Sequence, residues 1–130
     1  MTIKFVTGRI IGKIKLPNMR FYTFNGVHAE EKRLGQQLSV DVVVHYPIER
    51  LVQGDDLATT ISYSAVYRTV ERVVTTNQFD LIESVALLVM RTLQTEFPQA
   101  TQVDVAVTKH ALPVPGIYDP FTVSVSTAEE

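Results

Sequence analysis

One apolar stretch constrains the fold of this chain more than any other feature of its sequence. Neither Gly nor Pro occurs between Phe79 and Pro98, so the stretch predicts one long helix that ends near Thr95. Its apolar residues are Leu81, Ile82, Val85, Ala86, Leu87, Leu88, Val89, Met90 and Leu93. A helix as apolar as this one is expected to be largely buried.

Glu83 lies at the head of this predicted helix, turned away from its narrow polar stripe of Ser84, Arg91 and Thr95. A carboxylate in such a place needs a partner, because an unpaired charge is costly to bury. Its spacing from Asp80 is that of a capping box, in which Glu83 accepts a hydrogen bond from the Asp80 backbone N–H. The local sequence therefore leaves two interpretations, a helix cap and a ligand-binding carboxylate.

Length and composition predict one globular domain over residues 1–130, since 45% of the residues are hydrophobic and 20% charged. The net charge of −2 gives neither a basic footprint for nucleic acid nor a polybasic patch for a membrane. The absence of cysteine excludes disulfides and thiolate catalysis, and His28, His45 and His110 have no metal-ligand spacing. No signal peptide and no apolar run of about 18 residues is found, so a cytoplasmic protein is expected.

Residue patterns predict four strands and two helices. The first strand ends at the Asn25-Gly26 turn signal, and Ser62 or Ser64 caps the first helix. The elements are strands 14–24 and 38–45, helices 63–74 and 81–95, and strands 103–108 and 121–126. Residues 1–13 are interpreted as an N-terminal extension or a short edge strand. The predicted fold is α+β, an antiparallel four-stranded sheet in the order β-β-α-α-β-β with both helices on one face.

Three further polar positions do not belong to a core. The Glu30-Glu31 pair follows a turn, Tyr63 stands where an extended segment becomes a helix, and Lys109 leaves a strand whose inward residues are all Val. Each has an ordinary structural explanation. The paired glutamates could be solvated loop residues, and Tyr63 could pack its ring in the core with its hydroxyl in water. Lys109 could extend along an apolar surface into solvent.

Together these positions resemble one family, the dihydroneopterin aldolases of folate biosynthesis, over about residues 14–126. No single motif is long, but five of them occur in register. The matching residues are Met19-Arg20-Phe21-Tyr22, Gly26-Val27, Glu30-Glu31, Leu34-Gly35-Gln36, Val40-Asp41-Val42, Thr60-Ile61-Ser62-Tyr63 with Val66, Leu81-Ile82-Glu83 with Ala86, Val107-Thr108-Lys109, Pro113-Val114-Pro115-Gly116 and Asp119.

The chain departs from the family pattern at two points. The family often has Tyr-His-Gly where this chain has Phe24-Asn25-Gly26, and Pro where it has His110. His110 also resembles the related dihydroneopterin triphosphate epimerases, whereas the Pro-Val-Pro-Gly segment at 113–116 resembles the aldolases. The alternatives to an aldolase are therefore an epimerase and, in another class, a non-catalytic pterin- or purine-binding oligomer.

The resemblance implies a role for each of these side chains. Glu83 would accept two hydrogen bonds from the amino group and ring N–H of a pterin, and backbone groups of Ile82 would help to hold the ring. Tyr63 would contact the ring from a neighbouring subunit. Glu31 would reach the hydroxyls of the substrate side chain, and Lys109 would transfer protons. The implied catalytic residues are thus Lys109, Glu31 and Tyr63.

The resemblance also implies a reaction and an assembly. The reaction is the retro-aldol cleavage of 7,8-dihydroneopterin, whose own imine accepts the electrons, so no cofactor, metal or Schiff base is expected. The implied fold is the tunnelling fold, in which sheets of several subunits join edge to edge into a barrel. The implied assembly is a homo-octamer of two stacked tetrameric rings with active sites between subunits.

Overall fold

The computed structural model describes residues 10–127, and it has the α+β architecture expected from the sequence. All neighbouring strands are antiparallel, in the sheet order β1-β2-β3-β4. The elements are β1 (Gly12–Thr23), α1 (Ala29–Leu34), β2 (Gln36–Tyr46), α2 (Ile48–Leu51), α3 (Tyr63–Thr76), α4 (Ile82–Glu96), β3 (Gln102–Lys109) and β4 (Phe121–Ser126). The predicted four-stranded sheet and the two long helices are confirmed.

Residues 1–9 of the expected N-terminal extension or edge strand lie outside the described residues. Gly12 and Lys13, which the sequence analysis assigned to the same segment, are the first residues of β1. No helix within residues 10–127 is long and apolar enough to cross a membrane.

The structure adds two short α-helices, α1 and α2, and a short 3-10 helix (Leu57–Thr59) in segments where the sequence predicted no helix. In α1 the Glu31 side chain accepts a hydrogen bond from the His28 backbone N–H at 3.1 Å, which stabilises the first turn. Neither α1 nor α2 buries a residue, so neither leaves the apolar periodicity by which a helix is recognised in a sequence.

A bulge in β1 decides which of its side chains face the core. The register with β2 shifts between Leu16 and Met19, where Asn18 has a positive φ of 51° and its backbone N–H donates to Asp41 Oδ1 at 2.8 Å. The extra residue changes the alternation, so that Met19, Phe21 and Thr23 are buried. Thr23 therefore points inward at the end of the strand, beside the site described below.

The core lies between one face of the sheet and the two long helices. Helix α3 packs against β1, and α4 packs against β3 and β4. The buried apolar side chains are Met19, Phe21, Leu38, Val40, Val42, Val44, Tyr46, Ile61, Val66, Val70, Val73, Val74, Val85, Ala86, Val89, Leu93, Val103, Val105 and Val107. Ser62 caps α3 by accepting from the Ala65 N–H at 3.3 Å, which confirms one of the two predicted caps.

Helix α4 is less buried in the single chain than its composition predicts. Only Val85, Ala86, Val89 and Leu93 are fully buried. The other apolar residues from Ile82 to Met90 (Ile82, Leu87, Leu88 and Met90) are half-buried. Of these, Ile82, Leu88 and Met90 still pack against the edge of the core.

Candidate active site

Lys109 is the last residue of β3, and it lies on the helix-covered face of the sheet. The buried residues Val103, Val105 and Val107 alternate along the strand, and Lys109 has the same parity. It pairs in register with Leu38 on β2. The Lys109 side chain is only 13% exposed, so its amine lies at the end of β3 and is largely shielded from solvent.

Glu31 is brought to the same place by α1, and its carboxylate forms an ion pair with Lys109. The Glu31 side chain is 14% exposed. Its Oε1 accepts from the His28 backbone N–H at 3.1 Å, and its Oε2 accepts from Gln36 Nε2 at 2.9 Å. A Cβ on Gly26 would lie 2.6 Å from the Glu31 carboxyl carbon, so only glycine lets the carboxylate pack so closely against this turn.

Two opposing effects act on the pKa of Glu31. Burial disfavours the charged carboxylate and raises the pKa, but hydrogen bonds from Lys109, the His28 backbone and Gln36 favour it. The hydrogen bonds and the nearby Lys109 charge together hold the pKa of Glu31 below its usual range. The Glu31 carboxylate is therefore ionised and accepts a hydrogen bond from the Lys109 amine. Such a pair contains one proton donor and one proton acceptor, as acid–base chemistry requires.

A cavity of about 330 Å³ opens directly beside this pair. Its walls are His28, Glu30 and Glu31 on one side and the start of the Pro-rich loop, residues 111–113, on the other. No Lys or Arg is among these lining residues, so the outer part of the cavity carries carboxylates and an imidazole but no permanent cation. The two adjacent glutamates therefore differ in environment: Glu31 is paired with Lys109, whereas Glu30 is exposed.

Glu83 does not have the environment that the sequence analysis expected. The structure places its side chain in solvent, and no hydrogen bond or ion pair joins it to any of residues 10–127. The capping box with Asp80 is also absent: α4 begins after Leu81, and Asp80 instead pairs with Lys32 of α1. The expected burial of Glu83 is therefore wrong for the single chain, because Leu81 and Glu83 at the head of α4 are both exposed.

The residues just before α4 are nevertheless hydrogen-bonded to the turn at residues 24–26, which packs against Glu31. The Gly26 N–H donates to the Phe79 carbonyl at 2.8 Å, and the Phe79 N–H donates to Asn25 Oδ1. Gln78 Nε2 donates to the Phe24 carbonyl at 3.0 Å. These bonds set Ile82 and Glu83 at the same end of the molecule as Glu31 and Lys109.

Tyr63 lies elsewhere. It is the first residue of α3 and is 67% exposed, with no hydrogen bond or ring contact to residues 10–127. The C-terminal end of α3 leads to Asn77, next to the Phe79 junction, so Tyr63 stands at the opposite end of a helix about 20 Å long. Within one chain the structure brings Glu31 and Lys109 together, places Glu83 at the same end, and leaves Tyr63 apart.

Two polar residues at this site were missed by the sequence analysis as functional positions. Gln36 Nε2 bridges Glu31 Oε2 and the Asn25 carbonyl, the latter at 2.7 Å, and Asn25 is completely buried. A signal for Gln36 was available, because it shares the inward parity of Leu38 and Val40 and is therefore a polar residue on a core face. Asn25 resembled an ordinary turn residue.

Comparison with known proteins identifies relatives along nearly the whole chain. A family model described as FolB, dihydroneopterin aldolase, matches residues 14–126. The dihydroneopterin aldolase of Bacillus subtilis is 31% identical over 114 residues, which cover 88% of this chain and 95% of that protein. That of Staphylococcus epidermidis is 33% identical over 106 residues, covering 82% of this chain and 88% of the relative.

A solved structure has the same fold. The crystal structure of the E. coli dihydroneopterin aldolase in complex with neopterin aligns with a TM-score of 0.80 over 90% of this chain and 99% of that one. The two sequences are 22% identical, so this comparison supports the architecture of the sheet and helices.

Proposed function

The chain belongs to the dihydroneopterin aldolase family, and we propose that it cleaves 7,8-dihydroneopterin into 6-hydroxymethyl-7,8-dihydropterin and glycolaldehyde, with Lys109 and Glu31 moving the protons. The enzyme is a carbon–carbon lyase of folate biosynthesis. The observation that carries the assignment of residues is the Lys109–Glu31 ion pair, whose carboxylate lines a cavity next to the end of β3.

The substrate supplies the electron sink for this reaction. A base removes the proton of the side-chain hydroxyl, the carbon–carbon bond breaks, and the aldehyde of glycolaldehyde forms. The electron pair passes into the N5=C6 imine of the ring while an acid protonates N5, which gives an enamine. Protonation of the enamine carbon, with loss of the N5 proton, then restores the N5=C6 imine and yields the product. The protein needs only groups that give and take protons.

Lys109 is suited to the acid and base steps because β3 and the ion pair hold its amine next to the Glu31 carboxylate, which lines the cavity. Glu31 is suited to receive the hydroxyls of the substrate side chain, since its ionised carboxylate lines the same cavity. Glu83 and the backbone of Ile82 would anchor the pterin edge from the head of α4. The exposed and unpaired Glu83 supports this role, because its carboxylate is available to accept from the amino group and ring N–H.

The lining of the cavity favours an uncharged substrate side chain over a triphosphate. An epimerase acting on a triphosphate requires cations near the mouth of the site, whereas the residues that line this mouth include Glu30 and His28 but no Lys or Arg. Lys109 is already paired with Glu31. The geometry therefore supports the aldolase over the epimerase.

We propose further that the site is completed by a second copy of the chain in a homo-octamer of two stacked tetrameric rings. In one chain, β1 and β4 are the edges of the sheet and find no further strand among residues 10–127. Closing such sheets edge to edge removes these edges. Tyr63, exposed at the far end of α3, would then reach a neighbour's cavity. The cytoplasmic location stays a prediction.

The test is direct. The protein is incubated with 7,8-dihydroneopterin in the presence of a metal chelator, and glycolaldehyde and 6-hydroxymethyl-7,8-dihydropterin are measured in equal amounts. A parallel reaction with the triphosphate is expected to give little product. Borohydride added during turnover is expected to trap no covalent adduct at Lys109. Formation of the side-chain epimer alone, loss of activity with the chelator, or a trapped lysine adduct would each overturn part of the proposal.

A further inference from the structure

Three buried polar atoms behind Glu31 have no hydrogen-bond partner among residues 10–127. They are Thr23 Oγ1, Asn25 Nδ2 and Gln36 Oε1. The three residues are 2%, 0% and 5% exposed, respectively. Native proteins pair nearly all such groups, either with other protein atoms or with ordered water, because an unpaired buried donor or acceptor is costly.

The three atoms belong to one small region at the closed end of the β1–β2 hairpin. Thr23 and Gln36 are opposite each other in register, and both side chains face inward. Opposed side chains in such a pair have Cβ atoms about 5 Å apart. Asn25 adjoins them, because Gln36 Nε2 donates to the Asn25 carbonyl at 2.7 Å.

We propose that Thr23, Asn25 and Gln36 form a closed internal site for one ordered water molecule. The chemistry of the three atoms matches a water: Asn25 Nδ2 donates to it, Gln36 Oε1 accepts from it, and the Thr23 hydroxyl is its third partner. Buried waters typically make about three such hydrogen bonds. The three side chains carry no charge, so the site suits a neutral molecule that is both donor and acceptor.

This water has a consequence for the catalytic pair, which rests on the proposed function. Gln36 is fixed at its amide nitrogen by the Asn25 carbonyl and by Glu31 Oε2. The water fixes the other end of the same amide, so that Gln36 keeps its nitrogen toward Glu31. Asn25 also accepts from the Phe79 N–H with its Oδ1, which links this region to the head of α4. Thr23 and Asn25 are thus positioning residues for Glu31.

A crystal structure of the full chain tests the site independently of activity. One isolated density peak is expected within about 3 Å of all three atoms. Direct bonding of Asn25 Nδ2 to Gln36 Oε1, with no density between the side chains, would overturn the proposal. An inactive protein that shows the peak would overturn the proposed function and leave the water site standing.

The variant Thr23→Val tests the positioning role, because it keeps the shape of the side chain and removes only the hydroxyl. We expect the water density to be lost and kcat to fall about tenfold, less than the ~10²-fold that a misplacement of about 1 Å can cost. KM is expected to change little, and Thr23→Ser is expected to restore kcat. The matched control is Thr69→Val, also buried, whose hydroxyl donates to Glu96 between the two long helices at 3.0 Å. A wild-type kcat in Thr23→Val would overturn the positioning role.

Discussion

The Lys109 ammonium is held by a strand on one side and by the Glu31 carboxylate on the other. A lysine that merely extended into solvent would be mobile and strongly hydrated. This one is mostly shielded, with a charged acceptor that is itself fixed by the His28 backbone and Gln36. A proton donor whose position is set by rigid elements on both sides is suited to reach one atom of a bound ring repeatedly.

Replacing Lys109 by Ala is expected to lower turnover of 7,8-dihydroneopterin by roughly 10²–10⁴-fold, the usual share of a general acid–base group. Pterin binding is expected to weaken much less, because Glu83 remains. Steady-state kinetics and a binding titration with neopterin separate the two effects. Lys15→Ala, which removes an exposed lysine from β1, is the matched control and should leave turnover unchanged. Near-normal turnover in Lys109→Ala would assign the proton transfer to Glu31 or Tyr63.

Glu83 is predicted to contribute to ligand binding and not to folding. Within residues 10–127 its carboxylate has no partner, so Glu83→Gln removes no contact that stabilises the chain. In the complex of the variant, the amide N–H of the new side chain would face the donors of the pterin. The free energy of pterin binding should therefore weaken by about 2 kcal/mol or more. Calorimetric titration with neopterin and urea denaturation measure the two quantities. Glu71→Gln on α3 is the control, and a Glu83→Gln chain that binds normally but unfolds easily would make Glu83 a structural residue.

At the scale of single residues, the sequence alone singled out Glu83 at the head of a helix, and Glu31 and Lys109 as polar residues outside the core. Only the family resemblance implied that they belong to one site. Glu31 and Lys109 are far apart in the chain, and only the register of β2 with β3 and the position of α1 bring them together. The environment of Glu83 was predicted wrongly because the apolar composition of α4 does not show which residues of its first turn face the core: Val85 is buried, whereas Glu83 is exposed. The contribution of Asn25 was not visible in the sequence, since Asn25 acts partly through its backbone carbonyl.

Among the elements, the four strands and the two long helices were predictable because each has a strong apolar period. Helix α1 was not, although it carries Glu31. It has six residues and none of them is buried, so its stability comes from its ends. At one end the Glu31 side chain bonds the His28 N–H, and in its last turn Lys32 pairs with Asp80 before α4. A helix that is stabilised mainly by tertiary contacts is difficult to predict from its own sequence.

Gly35, at the junction of α1 and β2, is predicted to be required for this arrangement. Its φ of 77° and ψ of 173° lie in a region that is almost restricted to glycine. A Cβ would also lie 2.9 Å from the Thr23 carbonyl oxygen. Gly35→Ala is therefore expected to lower the free energy of unfolding by about 1–3 kcal/mol from the backbone alone, and by more if the contact is not relieved.

Urea denaturation of Gly35→Ala and of Gly54→Ala provides the comparison. Gly54 also has a positive φ, of 61°, but a Cβ there meets nothing within 4 Å. The control should lose only the cost of a left-handed conformation, about 1 kcal/mol. Equal losses in the two variants would mean that the Thr23 carbonyl moves aside and that the Gly35 backbone costs no more than the Gly54 backbone.

Several features of the whole molecule are incomplete in one chain. The sheet ends in two free edges within residues 10–127, and several apolar residues of α4 are only half-buried. Tyr63 is exposed at one end of α3, while the cavity beside Lys109 opens at the other end of the molecule. The proposed ring of copies would account for these features, because neighbouring chains would cover the sheet edges and would bring Tyr63 of one copy to the cavity of the next.

Subunit mixing distinguishes a shared site from a site within one chain. Tyr63→Ala and Lys109→Ala are each expected to form the same large oligomer in sedimentation and to be nearly inactive. If every site takes Tyr63 from one copy and Lys109 from its neighbour, random co-assembly of the two variants restores intact sites in about a quarter of the positions. Each variant co-assembled with itself remains inactive and is the control. If both residues of a site came from one chain, every site would carry a lesion and mixing would restore nothing, because no exchange of partners can repair a defect within a chain.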